Sequence, residues 1–215
     1  MSMLGNRIAD GTTPPGSDAS AGLPAPVSLD PETTAALLRI AREAVTAAAT
    51  HASRPMDGPH PAIGALDEPG AAFVTITEHG LLRGCMGSLV AEQPLGDAVA
   101  SAAVSAAVRD PRFLPLTDRE LAEIHIDVSV LGPAVALRDP AAFRPGIDGI
   151  IVARDGRRAL LLPEVATDQG WDAREMLDAV CEKAGLEGHA WHDPRTRLFV
   201  FRTVRVSEGE TPAQS

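Results

Sequence analysis

The sequence is poor in the residues that read nucleic acids. Its 215 residues include no tyrosine, five phenylalanines, two tryptophans and a single lysine, Lys183. Neither the base-stacking platforms nor the basic stripe of a nucleic-acid interface is present. Nineteen Lys and Arg stand against 29 Asp and Glu, a formal net charge of -10. A field of that sign repels anionic polymers and membrane surfaces. No apolar run nears the ~20 residues of a membrane span, and no basic segment with an apolar core opens the chain. Neither a membrane partner nor a secretory leader is therefore expected. The two cysteines, Cys85 and Cys181, lie far apart without metal-ligand spacing and read as free thiols of a cytoplasmic protein. There is no Gly-rich dinucleotide or P-loop motif, no G-x-S-x-G and no three-cysteine run. No cofactor is implied.

What is present suits one domain or two small subdomains, with a hydrophobic fraction of 45%. Much of that is alanine, so Val, Leu, Ile and Phe must supply most of the core. Residues 1–27 and 208–215 lack periodicity and read as tails that cannot offset their ordering entropy. A first helix begins at Ser28 or Asp30, with Pro31 and Glu32 in its first turn. Residues 51–70 read mostly as connection, with a short helix near Ile63. Ala72 to Thr77 alternates as a strand, His79-Gly80 forms a tight turn, and Leu81 to Leu89 returns as its hairpin partner. An Ala-rich helix opens at Pro94 and stops at Asp110-Pro111. Thr117 to Glu120 has a capping-box pattern for a short helix. Ile124 to Val130 alternates as a strand, and Asp155-Gly156 joins two more. A helix from about Asp172 to Gly185 and a last strand from Arg197 to Val206 complete an α+β chain with a largely antiparallel sheet flanked by helices.

Leu82-Arg83-Gly84-Cys85-Met86-Gly87 is an odd strand. Each interior glycine weakens a strand by ~0.5–1 kcal/mol relative to alanine, which points to a bulge or a close backbone approach. This hexapeptide resembles the signature of the AMME chromosomal region gene product domain family, AMMECR. Gly70 to Ile76, Arg109 to Thr117, Ile126 to Leu131, Pro145 to Ile150, Leu160 to Val165, and Ala184 to Leu186 with Trp191 and Phe199 to Arg202 are similar to the family's further blocks. Met86 stands where the family more often has Ile, and Glu164 where it often has Gln, both changes of similar volume. The resemblance covers about residues 30 to 207. It implies a larger α+β subdomain, a smaller one and a cleft between them lined by the hexapeptide. It also implies a place as protein A of the system that joins AMMECR, Memo and radical-SAM proteins, which would be its partners.

Cys85 is the leading candidate for chemistry: a thiolate whose pKa is lowered by Arg83 or Arg112, acting as nucleophile or group acceptor. Arg83 and Cys85, two apart, share a face if the strand is regular. The structural alternative is a buried small hydrophobe. Gly84, Met86, Gly87, Arg112 and Asp127 are the expected lining, with the glycines giving a small molecule or peptide access to the backbone. His125 and Asp127 could complete a Cys-His-acid triad, or merely be the polar face of a strand, since residues two apart lie ~7 Å from each other. Arg109 and Arg112 could hold an anion, while Asp110 could end the helix. His189, His192 and Asp193 have ligand-compatible spacing, but in an irregular loop. The chain is thus either a thiol-dependent group-transfer or hydrolytic enzyme, or a binding module docking a peptide or protein on the same hairpin.

Overall fold

The first helix, α1 (Pro31–Ala49), starts where the side chain of Asp30 accepts the Thr33 N–H at 2.8 Å. Such a cap is worth about 1 kcal/mol. Its stripe of Leu37, Ile40, Ala41, Ala44 and Val45 is buried. A computed structural model describes residues 23–50 and 64–209. Most of the anticipated tails, 1–22 and 210–215, and most of the connection, 51–63, lie outside the described residues. In chain order there follow α2 (Gly64–Asp67), β1 (Ala71–Glu78), β2 (Leu81–Gly87), α3 (Leu95–Val108), β3 (Ile124–Leu131) and β4 (Val135–Ala136). The rest are β5 (Gly149–Arg154), β6 (Arg157–Leu161), α4 (Pro163–Gln169), α5 (Ala173–Lys183), β7 (Arg197–Phe201) and β8 (Thr203–Ser207). Among the described residues no helix is long and apolar enough to cross a membrane.

The chain divides into two units, each with its own sheet. Among the described residues, one comprises 28–50, 64–131 and 204–209; the other comprises Gly132–Thr203 and 23–27. The fold is α+β as expected. In the first unit the strand order is β2-β1-β3-β8, with β1 antiparallel to both β2 and β3. Ala72, Val74 and Ile76 of β1 join Ile124, Ile126, Val128 and Val130 of β3 in one core with α1 and α3. Phe73, Thr75 and Thr77 alternate with them and take the other face. In the second unit the order is β4-β7-β5-β6. Its core joins Ile150, Val152, Leu161, Leu198 and Val200 to Met176, Leu177 and Val180 of α5.

Three departures from the sequence expectations have local causes. The strand expected from Arg197 to Val206 is two strands in different sheets, broken at Arg202. There the Arg202 carbonyl accepts the Gly132 N–H at 2.8 Å, and its guanidinium lies 2.7 Å from Asp148. Glu208, expected to open the tail, is anchored instead: its carboxylate accepts from Arg42 Nε at 2.7 Å and from the Ile126 N–H at 2.9 Å. Helix α4 was not anticipated, although Pro163 at its first turn and the left-handed Gly170 at its end are ordinary helix punctuation. The Thr117–Glu120 segment forms a short 3₁₀ turn, Asp118–Glu120.

Helix α3 lies directly on β2. A Cβ on Gly84 would fall 2.2 Å from the Ala106 carbonyl oxygen, so the alanine face of the helix and the bare strand position are one contact. We predict that Gly84→Ala lowers unfolding free energy by about 1–3 kcal/mol, as overpacking does. Gly64→Ala, in open space at a helical position, should leave it unchanged or raise it by up to about 1 kcal/mol. Urea denaturation of both variants checks this.

Candidate functional site

The hairpin register decides what stands beside the thiol. Glu78 pairs with Leu81 and Thr77 with Leu82, but Ile76 pairs with Gly84 and Thr75 with Cys85. Arg83 is thus the extra residue of a β-bulge, and the simple alternation of β2 is broken there. On β3, Asp127 pairs with the same Thr75. Cys85, Thr75 and Asp127 therefore form one rung across three strands, on the face opposite the core. Cys85 is half-buried, and the Thr75 hydroxyl donates to its sulfur at 3.4 Å.

Strand β2 is the outermost of its sheet, so Cys85 turns its N–H and C=O away from β1, toward what would be an open edge. The N–H donates to Asp110 Oδ2 at 2.9 Å, and the carbonyl accepts from Arg112 Nη2 at 3.4 Å. Arg112 in turn donates to both Asp110 oxygens, Nε at 2.9 Å and Nη2 at 2.6 Å. The ion pair offers an acceptor and a donor where a further strand would offer its own. Burial pushes the Asp110 carboxyl up, but hydrogen bonds from the Arg112 side chain and from the Cys85 and Arg112 N–H groups outweigh it and hold the carboxyl below its usual value. The Asp110 hydrogen bond, with the Asp110 charge and that of a Cys85 thiolate, raises the Arg112 guanidinium against the opposing pull of burial.

Arg83 does not fill the role expected of it. At the bulge its guanidinium turns to Glu120 Oε1 at 2.8 Å and to the Leu114 carbonyl at 2.9 Å. Burial raises the Glu120 carboxyl, and Arg83 and Thr117 more than reverse this. Arg112 is the guanidinium set against Cys85. Both arginines flank the Phe113 ring, at 6.0 Å and 5.4 Å from its centroid. Two of the expected lining residues face the core side: Gly84 meets Ala106 and Met86 packs on the core cluster. Gly87 is closed as well, since a Cβ there would stand 2.3 Å from the Ala72 carbonyl and 2.5 Å from Phe73. The close approach that these glycines anticipate is made by the protein's own chain.

His125 and Asp127 do lean together, Nε2 to Oδ1 at 3.6 Å, despite being two apart on β3. Strand β1 stands between them and Cys85, with Thr75 opposite Asp127 and Thr77 opposite His125, so no Cys-His-acid triad is assembled. Asp127 is buried; its Oδ2 accepts from Arg205 at 2.5 Å, while Oδ1 has no hydrogen-bond partner among the described residues. Among the described residues no group of His, Cys, Asp and Glu is arranged to hold a metal ion, His189, His192 and Asp193 included. Arg109 is the C-cap of α3. Thr75, Glu120 and Arg205 are the members that sequence reasoning missed. Cys181 is fully buried, which pushes its thiol up to about 11.

Two outcomes are expected. Iodoacetamide should label native protein at Cys85 and leave Cys181 untouched until unfolding; the converse pattern on peptide mapping contradicts the assignment. The Asp110 carboxyl is depressed in the fold, so its contribution to stability is present above ~3.9, its unfolded value, and is lost as pH falls through the folded one. Asp110→Asn should cost about 1–3 kcal/mol at neutral pH and flatten the acid limb of stability against pH, measured by denaturant melts from pH 7 downward.

The AMMECR1 family model matches residues 38–206. A protein of Methanothermobacter thermautotrophicus is 47% identical over 136 residues, 60% of this chain and 71% of that one. Protein TK0174 of Thermococcus kodakarensis is 38% identical over 186 residues, 82% of this chain and 90% of that one. The crystal structure of the uncharacterized protein PH0010 from Pyrococcus horikoshii superposes with a TM-score of 0.77 at 32% identity, covering 83% of this chain and 92% of that one. With the hexapeptide and the blocks around it inside the matched span, the chain belongs to the AMMECR1 family.

Proposed function

We propose that the protein is a thiol-dependent component of a cytoplasmic pathway it shares with Memo and radical-SAM proteins, its site centred on the β2 strand at Cys85. The observation that carries this reading is the fixing of Cys85 from three directions, by Thr75 at the sulfur, Asp110 at the N–H and Arg112 at the carbonyl. A thiol needed only as core filling has no use for a hydroxyl donor at its sulfur and a cation beside it. The Thr75 O–H and the Arg112 charge both favour the thiolate over the thiol. In the proposed step the Cys85 proton passes to solvent, the sulfur bonds to an electrophilic carbon, and the displaced group leaves with a proton. Water or a second acceptor then takes that carbon, and the thiol is restored. The pathway partners rest on the family resemblance.

A second reading makes the hairpin a docking surface with the thiol incidental. It is favoured by three exposed leucines, Leu81 and Leu82 on β2 and Leu114 in the loop whose carbonyl Arg83 holds. Cys85→Ser separates the two readings. The enzyme reading expects turnover with the partner system to fall at least ~100-fold while partner binding is kept, because the thiolate nucleophile is gone. Unchanged turnover leaves the docking reading, which in turn expects Leu114→Ser to weaken partner capture.

A further inference from the structure

We propose that the unit formed by Gly132–Thr203 carries a binding pocket for a small phosphate-bearing molecule, built from the β5–β6 hairpin and the loop around Asp193. This goes beyond the Cys85 reading and does not depend on it. The pocket encloses about 590 Å³ and is lined by Arg154, Arg157, Arg195, His189, His192 and Asp193, among others. That volume is within the ~300–1,000 Å³ usual for small-molecule sites.

The pocket's charge arises from the hairpin. The Asp155-Gly156 turn places Arg154 and Arg157 as directly opposed strand partners. Like charges in that position destabilise a sheet unless something neutralises them. The neutralisation inside the protein is incomplete. Asp193 accepts from Arg154 Nη1 at 3.3 Å, from Arg195 Nη2 at 2.8 Å and from the Arg195 N–H at 2.9 Å. The Arg195 contacts hold the Asp193 carboxyl at about 2, so it is fully charged and fully used. Asp155 is 3.7 Å from Arg154 Nε and mostly exposed, and Glu187 is paired with His189 at 3.3 Å. Arg157 donates one nitrogen, Nη1, to the Gly185 carbonyl, which steadies it over the pocket.

Arg154 Nη2, Arg157 Nη2 and Arg195 Nη1 donate to no protein acceptor among the described residues. Three NH₂ groups of three guanidiniums are thus available to one cavity, whose wall also carries the His192 ring. The His192 ring is held by stacking on Trp191, with centroids 3.5 Å apart. Guanidinium forks match the oxygen spacing of a phosphate, and the three arginines repel the cation that the His189, His192 and Asp193 spacing would otherwise suggest.

Isothermal titration of the full chain with phenyl phosphate tests this. Saturable one-to-one binding is expected. Arg157→Gln should weaken it about tenfold and the Arg157→Gln, Arg195→Gln pair about a hundredfold, while Arg157→Lys loses less than Arg157→Gln. Arg174→Gln, at an exposed arginine of α5 outside the pocket lining, and Cys85→Ser should bind as the wild type does. Absence of saturable binding, an equal loss in Arg174→Gln and Arg157→Gln, or benzoate bound as tightly as phenyl phosphate overturns the proposal.

Discussion

The architecture around the candidate site depends on a carboxylate removed from water. Asp110 is 5% exposed, and both its oxygens are used, by the Cys85 N–H and by Arg112. It lies just beyond the end of α3, where Arg109 is the C-cap and Pro111 prevents the helix from continuing. A buried acceptor with no donor costs about 1–3 kcal/mol, and so does the reverse, so helix end and strand edge hold each other in place. The result is an edge strand closed at the residue that carries the thiol, without another strand being built to close it.

That arrangement requires α3 to approach β2 closely. Gly84 meets the Ala106 carbonyl, and Cys85, the next residue, meets Asp110, four residues farther along the chain from Ala106. Four residues are about one helical turn, so two successive strand positions are matched to two successive turns of the same chain segment. The alanines of α3, which add little transfer free energy to the core, have this use: they let the helix backbone come within reach of the strand. Arg83, displaced into the bulge, is free to tie β2 to Glu120 and the Leu114 carbonyl, so the loop after α3 is fixed to the hairpin at two further points.

Much of this fold is legible in the sequence. Asp30 and Pro31 announce α1, the His79-Gly80 and Asp155-Gly156 pairs mark the two hairpins, and both pairs have positive φ. The hexapeptide singles out Cys85, and its glycines point to a bulge or a close approach; the structure has both. What approaches, however, is α3 and Phe73, which is a long-range contact that no local pattern encodes. The bulge also hides the thiol's neighbour. Counting back from the turn with regular pairing puts Thr75 opposite Gly84; the extra residue at Arg83 moves Thr75 to Cys85 and sends the Arg83 guanidinium elsewhere. The lean of His125 toward Asp127 is likewise a rotamer choice, invisible to strand periodicity. The break at Arg202 is set by a hydrogen bond to Gly132, seventy residues earlier in the chain.

Cys85 is the point at which backbone clamp, hydroxyl donor and guanidinium meet, and the clamp at Asp110 holds the other two in place. Amide hydrogen exchange at Cys85, followed by NMR in wild type and in Asp110→Asn, tests that directly. The wild-type amide should be protected like the interior amides of β1 and β3, at least ~1,000-fold over an unstructured chain, and Asp110→Asn should release most of that protection while β1 and β3 keep theirs. A Cys85 amide that exchanges in the wild type like an open strand edge, or that is indifferent to the substitution, contradicts the claim that Asp110 holds the site.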